Sequence, residues 1–354
     1  MSKLEELANL GQAVWIDYIR RSFITSGELQ KWIDQGLRGM TSNPSIFQKA
    51  IAESDDYSTD LERLIKSGAT AVEIYEGLMI DDIQRAADAF RPVFDATAGQ
   101  DGYISLEVSP LLANESEATL EEVRRMWKLV DRPNLMIKIP ATHAGLAPIA
   151  AATAEGINVN ITLIFSLERY AEVISAYLEG LELRAQNNQP LNNIHSVASF
   201  FVSRVDTKVD KRLEAIIRQG GSQAKKAKSL LGQAAVANAK VAYEQFEAAF
   251  FQNGRFAPLK ARGANLQRPL WASTSTKNPA YSDILYVQTL IGPHTVNTLP
   301  EKTLEAFLDH GKVKETIHEE LDKAHKVLQE LGELGISMTT VTQELEEEGV
   351  KAFA

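Results

Sequence analysis

The chain has no cysteine at all. Disulfides, thiolate metal sites and cysteine nucleophiles are therefore excluded. It also lacks any apolar run of the roughly 20 residues that a membrane helix needs. Residues 1–10 are acidic and helical in character, with neither the basic segment nor the apolar segment of a secretory leader. These absences point to a cytoplasmic protein. No internal repeat or low-complexity tract is visible, and no glycine-rich phosphate loop follows the first strand, which argues against a doubly wound dinucleotide-binding sheet. A net charge of −10 suits solubility and argues against a surface for nucleic acid or an acidic membrane. An anionic substrate would need a local cluster of cations instead.

What is present is an alternation. With 354 residues, 44% of them hydrophobic and 24% charged, the chain can bury a large core. Short apolar runs suited to strands occur at 13–17, 36–40, 102–108, 135–140, 156–163, 194–202, 270–273 and 295–299, separated mainly by stretches of helical periodicity. That rhythm predicts a single α/β domain over 1–354, an eight-stranded (β/α)8 TIM barrel. Segment 46–94 reads as amphipathic helix throughout, with its acidic clusters on solvated faces. Segment 207–252 reads as a helical insertion or extended crossover. The charged tail, 304–354, reads as two C-terminal helices whose charges are solvated. The strands deliver polar residues at or just past their C-terminal ends: Asp17, Asn43, Glu107, Lys138, Asn160 with Thr162, Ser199 with Arg204, Ser273 and Asn297. Barrels of this class place their chemistry there.

Lys138 stands out among these residues because it lies inside the run Leu135-Met136-Ile137-Lys138-Ile139-Pro140. Burial disfavours an ammonium, lowers its pKa and frees the amine to attack a carbonyl, which is how a Schiff-base nucleophile is made. A lysine that snorkels from a strand end to solvent is the plainer reading. If Lys138 forms an iminium with a ketone, the adjacent carbon–carbon bond is weakened. Asp17 is then the candidate base for a neighbouring hydroxyl, and Glu107 with Thr162 can hold a water that dehydrates the carbinolamine. Plainer roles exist for both acids: Asp17 as a helix cap, Glu107 as the partner of a buried lysine. His143, in a loop, is either an acid–base group or simply solvated. Ser199, Arg204, Ser273 and Lys277 supply hydroxyls and cations after late strands, where barrels often bind phosphate. No cluster of His, Asp and Glu has metal-ligand spacing, so no metal and no cofactor is expected.

Five stretches resemble one family. Gly39-Met40-Thr41-Ser42-Asn43-Pro44-Ser45-Ile46-Phe47 is similar to the first signature of the transaldolases. Met136-Ile137-Lys138-Ile139-Pro140-Ala141-Thr142, followed by Gly156 to Ser166, resembles their second, and Val14-Trp15-Ile16-Asp17 and Ser105-Leu106-Glu107 resemble the strands bearing the family's acids. The resemblance implies a β/α barrel with Lys138 as Schiff-base lysine, Asp17 as the acid–base group of bond cleavage, and Glu107 and Thr162 around a relay water. It implies that Asn43 and Asn160 bind substrate hydroxyls, and that Ser199, Arg204 and Ser273 contribute to a phosphate site. After Ser273 many members carry an arginine; this chain reads Thr274-Ser275-Thr276-Lys277, leaving Lys277 or Ser275 to complete the site. The implied activity is transfer of a dihydroxyacetone unit between sugar phosphates, by a monomer or homodimer. A related aldolase that releases the unit is the rival, disfavoured by Glu107, since those aldolases carry other polar residues around the water. A non-catalytic sugar-phosphate binder is disfavoured because binding alone needs no buried amine between two acids.

Overall fold

In the computed structural model, which describes residues 1–353, eight parallel strands close into a barrel in the order of the sequence. They are β1 (Gln12–Asp17), β2 (Gly39–Thr41), β3 (Tyr103–Glu107), β4 (Leu135–Pro140), β5 (Val159–Ile164), β6 (Ser196–Phe201), β7 (Gln267–Ala272) and β8 (Thr295–Leu299). Nearly every strand residue is buried, because side chains on one face fill the barrel and those on the other pack against the surrounding helices. The expected (β/α)8 class is the observed one. β7 begins earlier than its apolar run because Pro269 obscures its start. The β8 ladder reaches β7 only at Leu270 and Trp271, so Pro269 lies outside it and its missing N–H costs no bond to β8.

Register decides what points inward. Trp15 and Asp17 share one face of β1, and Trp15 pairs with Gly39 of β2. The fully buried indole of Trp15 therefore lies against Gly39, where an added Cβ would come within 2.6 Å of the ring. Gly39→Ala should lower stability by about 2–3 kcal/mol through overpacking. Scanning calorimetry should show that as a melting midpoint lower by roughly 3–4 °C; an unchanged midpoint would mean the indole can shift aside.

The helices differ from the sequence expectation in three places. Segment 46–94 is broken into helices Pro44–Ala52, Ser58–Lys66 and Ala71–Ala96. Its acidic residues are not all solvated: Asp56 is 2.7 Å from the Arg20 guanidinium, and fully buried Asp82 accepts from Tyr57 Oη at 2.7 Å. The β6–β7 crossover starts at Ser203 rather than 207, as helices Ser203–Gln219, Ala224–Leu230 and Ala234–Phe251. The tail holds three helices, Glu301–His310, Leu321–Glu333 and Met338–Phe353, and some of its charges are paired. Glu344 sits 2.8 Å from Arg212 and 2.9 Å from Lys208 of the crossover. Charge patterning alone cannot distinguish a solvated face from one matched to a distant helix.

Candidate active site

Glu107, Lys138 and Asn160 are register partners across β3, β4 and β5, so their side chains enter the barrel side by side. Lys138 and Glu107 are 5% and 4% exposed, and the Lys138 Nζ stands 3.0 Å from Glu107 Oε2. The amine also donates to the Ser42 carbonyl at 3.4 Å. Burial pushes the Glu107 carboxyl above the usual range; the Lys138 charge opposes this and the Asp17 charge reinforces it. Asp17, at the end of β1, is likewise held above the ordinary aspartate range by burial. Lys138, a hydrogen bond from Thr41 and Lys277 pull it back. One amine thus acts electrostatically on both acids. A buried ion pair of this kind contributes little stability over an apolar substitute, so its presence points to chemistry.

Short hydrogen bonds fix the surrounding groups. Thr41 Oγ1 donates to Asp17 Oδ1 at 2.7 Å and lies 2.6 Å from the Thr298 hydroxyl. Asn160 Nδ2 donates to Ser105 Oγ at 2.9 Å, while its Oδ1 accepts from Ser199 Oγ at 2.7 Å. The amide is therefore locked in orientation. Asn43 caps helix Pro44–Ala52, accepting from the Ile46 N–H at 3.0 Å. Thr162 follows Asn160 by one inward step toward the mouth, just before Leu163, whose φ of 61° accompanies a register shift between β5 and β6. Apart from the Lys138 contact, neither oxygen of Glu107 nor the Thr162 hydroxyl has a hydrogen-bond partner among the described residues, although all are buried. Groups left so are placed to hold a water or a ligand. Beside Glu107 a cavity of about 610 Å³ opens between Asn43, Tyr75, Ser109 and the end of the last helix at Ala352.

Hydroxyls and cations follow β6 and β7. Ser203 and Ser273 hydroxyls are 3.0 Å apart, and Ser273 has a φ of 54° that turns the chain out of β7. Lys277 Nζ donates to Ser275 Oγ at 2.6 Å. Lys277 is exposed as a residue but its amine is partly screened from water, which lowers its pKa; the nearby Arg204 charge lowers it further, and Asp17 raises it. Arg204 and Lys277 are therefore within electrostatic reach of each other, and Lys277 of Asp17.

The profile of the family described as Transaldolase/Fructose-6-phosphate aldolase matches residues 14–354. A protein named Transaldolase from Mycobacterium tuberculosis (strain ATCC 25618 / H37Rv) is 49% identical over 352 residues, covering 99% of this chain and 93% of its own. The same identity and coverage hold for Transaldolase of Mycobacterium ulcerans (strain Agy99) and Transaldolase 2 of Streptomyces avermitilis.

The chain belongs to the transaldolase/fructose-6-phosphate aldolase family.

Within that family's barrel, the structure brings together Lys138, Asp17, Glu107 and Asn160 as the sequence suggested. Two placements differ. Ser199, expected at the anion end, donates its proton to Asn160. Asn297, expected at the mouth, lies on the outward face of β8, where it pairs with Trp271 and accepts from Thr274 at 3.0 Å. Its neighbour Thr298 faces inward, since it reaches Thr41; one residue changes the face in a strand. His143 is exposed in the turn His143–Gly145. Thr41, Ser105 and Thr298 were not singled out from the sequence. The period of two offered a signal for Ser105, two residues before Glu107.

Proposed function

We propose that this chain is a transaldolase acting in the non-oxidative pentose phosphate pathway, in the cytoplasm and without a cofactor. It moves a dihydroxyacetone unit from sedoheptulose 7-phosphate or fructose 6-phosphate to glyceraldehyde 3-phosphate or erythrose 4-phosphate. The observation carrying this reading is the buried Lys138 amine 3.0 Å from Glu107 and in electrostatic contact with Asp17. In the proposed sequence Glu107 accepts a proton from the Lys138 ammonium, and the amine adds to the ketose carbonyl to give a carbinolamine. A water held by Glu107 and Thr162 delivers that proton to the departing hydroxyl, and an iminium remains. Asp17, kept by burial above the usual carboxylate range, takes the proton of the hydroxyl next to the breaking carbon–carbon bond. The bond's electrons pass to the iminium as an enamine, and the first aldose phosphate leaves. The acceptor aldehyde reverses these steps, with Asp17 returning its proton. Asn43 and the locked Asn160 amide contact the sugar hydroxyls, Ser199 acting through Asn160. Arg204, Lys277 and Ser273 bind the phosphate.

Product analysis separates this reading from the aldolase alternative. With sedoheptulose 7-phosphate, erythrose 4-phosphate should accumulate only when glyceraldehyde 3-phosphate is added, together with fructose 6-phosphate. Free dihydroxyacetone formed at the same rate with and without the acceptor would replace the transaldolase reading by aldolase activity.

A further inference from the structure

Lys277 sits in the loop after β7, exposed, and its hydrogen bond goes no further than Ser275, two residues away in the same loop. The like charge of Arg204 disfavours the Lys277 ammonium and the opposite charge of Asp17 favours it, so electrostatics alone does not fix the loop. Something must restrain the loop. The restraint comes from the β6–β7 crossover, whose first helix carries Arg204 and, within two turns, Asp206 and Asp210. Asp210 accepts from Tyr281 Oη at 2.6 Å and from the Gly232 N–H at 3.0 Å. Asp206 accepts from Tyr286 Oη at 2.8 Å and from the Ala235 N–H at 2.7 Å. Each carboxylate thus joins a tyrosine that follows Lys277 to the backbone of a later crossover segment. Gly232 has a φ of 70°, and a Cβ there would lie 2.7 Å from the Tyr281 ring, so the glycine gives the ring its seat. Lys277, both tyrosines and both aspartates line one cavity of about 220 Å³.

We propose that Tyr281 and Tyr286, latched to Asp210 and Asp206 and seated on Gly232, are positioning residues. They hold Lys277 beside Arg204 and so set the preference for phosphorylated over unphosphorylated sugars. This deepens the reading of Arg204 and Lys277 as phosphate ligands and rests on it. The crossover, on this view, braces the loop that carries Lys277.

The test compares glyceraldehyde 3-phosphate with glyceraldehyde as acceptors and follows inorganic phosphate binding by ³¹P NMR titration, which needs no turnover. Tyr281→Phe removes one hydroxyl and should raise KM for the phosphorylated acceptor and weaken phosphate binding, each about five- to tenfold. Its kcat should stay within about twofold. Gly232→Ala, a substitution in the crossover, should shift KM and phosphate binding in the same direction. In a Lys277→Met background, Tyr281→Phe should add no further loss, since its effect passes through that lysine. The inference is overturned if Tyr281→Phe leaves KM and phosphate binding unchanged, if it lowers kcat for both acceptors equally, or if its full effect persists in the Lys277→Met background. It is also overturned if the wild type binds no phosphate. Failure of the transaldolase reading would show differently, as the absence of a covalent adduct on Lys138 in the wild-type chain.

Discussion

Lys138→Met is expected to lower turnover by roughly 10⁴-fold or more, the scale on which loss of a covalent nucleophile is felt. The substitution keeps most of the side-chain volume in a strand buried on both faces and removes the amine. It leaves Glu107 without its ion partner, but burial already raises that carboxyl's pKa, so it can take a proton instead of remaining an unpaired charge. The protein should therefore stay folded, which a melting curve recorded beside the rate assay checks. Catalysis within tenfold of wild type by the folded variant would mean that the covalent handle lies elsewhere.

Asp17→Asn is expected to uncouple two steps that the wild type performs together. The amide retains an oxygen that can accept from Thr41, so the local geometry held by the Thr41–Thr298 contact should persist. What is lost is a base. Turnover should fall by about 10²–10⁴-fold, the usual contribution of a placed general base. Imine formation, which relies on Lys138 and Glu107, should continue, so a ketose should still be captured on the enzyme while the first aldose phosphate is released slowly. Turnover at the wild-type rate would assign the proton transfer to another group, and loss of capture would place Asp17 in imine formation itself.

The two acids and the amine were legible in the sequence because each breaks an apolar strand run at or near its end. The barrel was legible because eight such runs recur between helical stretches. The supporting hydrogen bonds were not legible in the same way. Thr41 and Thr298 meet only because β1 lies between β2 and β8 in the closed barrel, a relation between residues 257 positions apart. Asn297 and Thr298 are neighbours at the end of β8, and strand parity decides which of them faces inward. The charged helices misled for a related reason: Glu344 and Arg212 are complementary across 132 positions, and local periodicity does not see the partner. The brace on Lys277 lies deeper still. Asp206, Asp210, Gly232, Tyr281 and Tyr286 are ordinary one at a time, and only their packing joins the crossover to the loop that carries Lys277.

Borohydride reduction in the presence of fructose 6-phosphate, followed by peptide mass mapping, tests the covalent mechanism most directly. A Schiff base at Lys138 puts the reduced sugar adduct on that residue, with protein lacking the ketose left unmodified and Lys138→Met giving no adduct. An adduct on a different lysine, or none under conditions where the enzyme turns over, would contradict it.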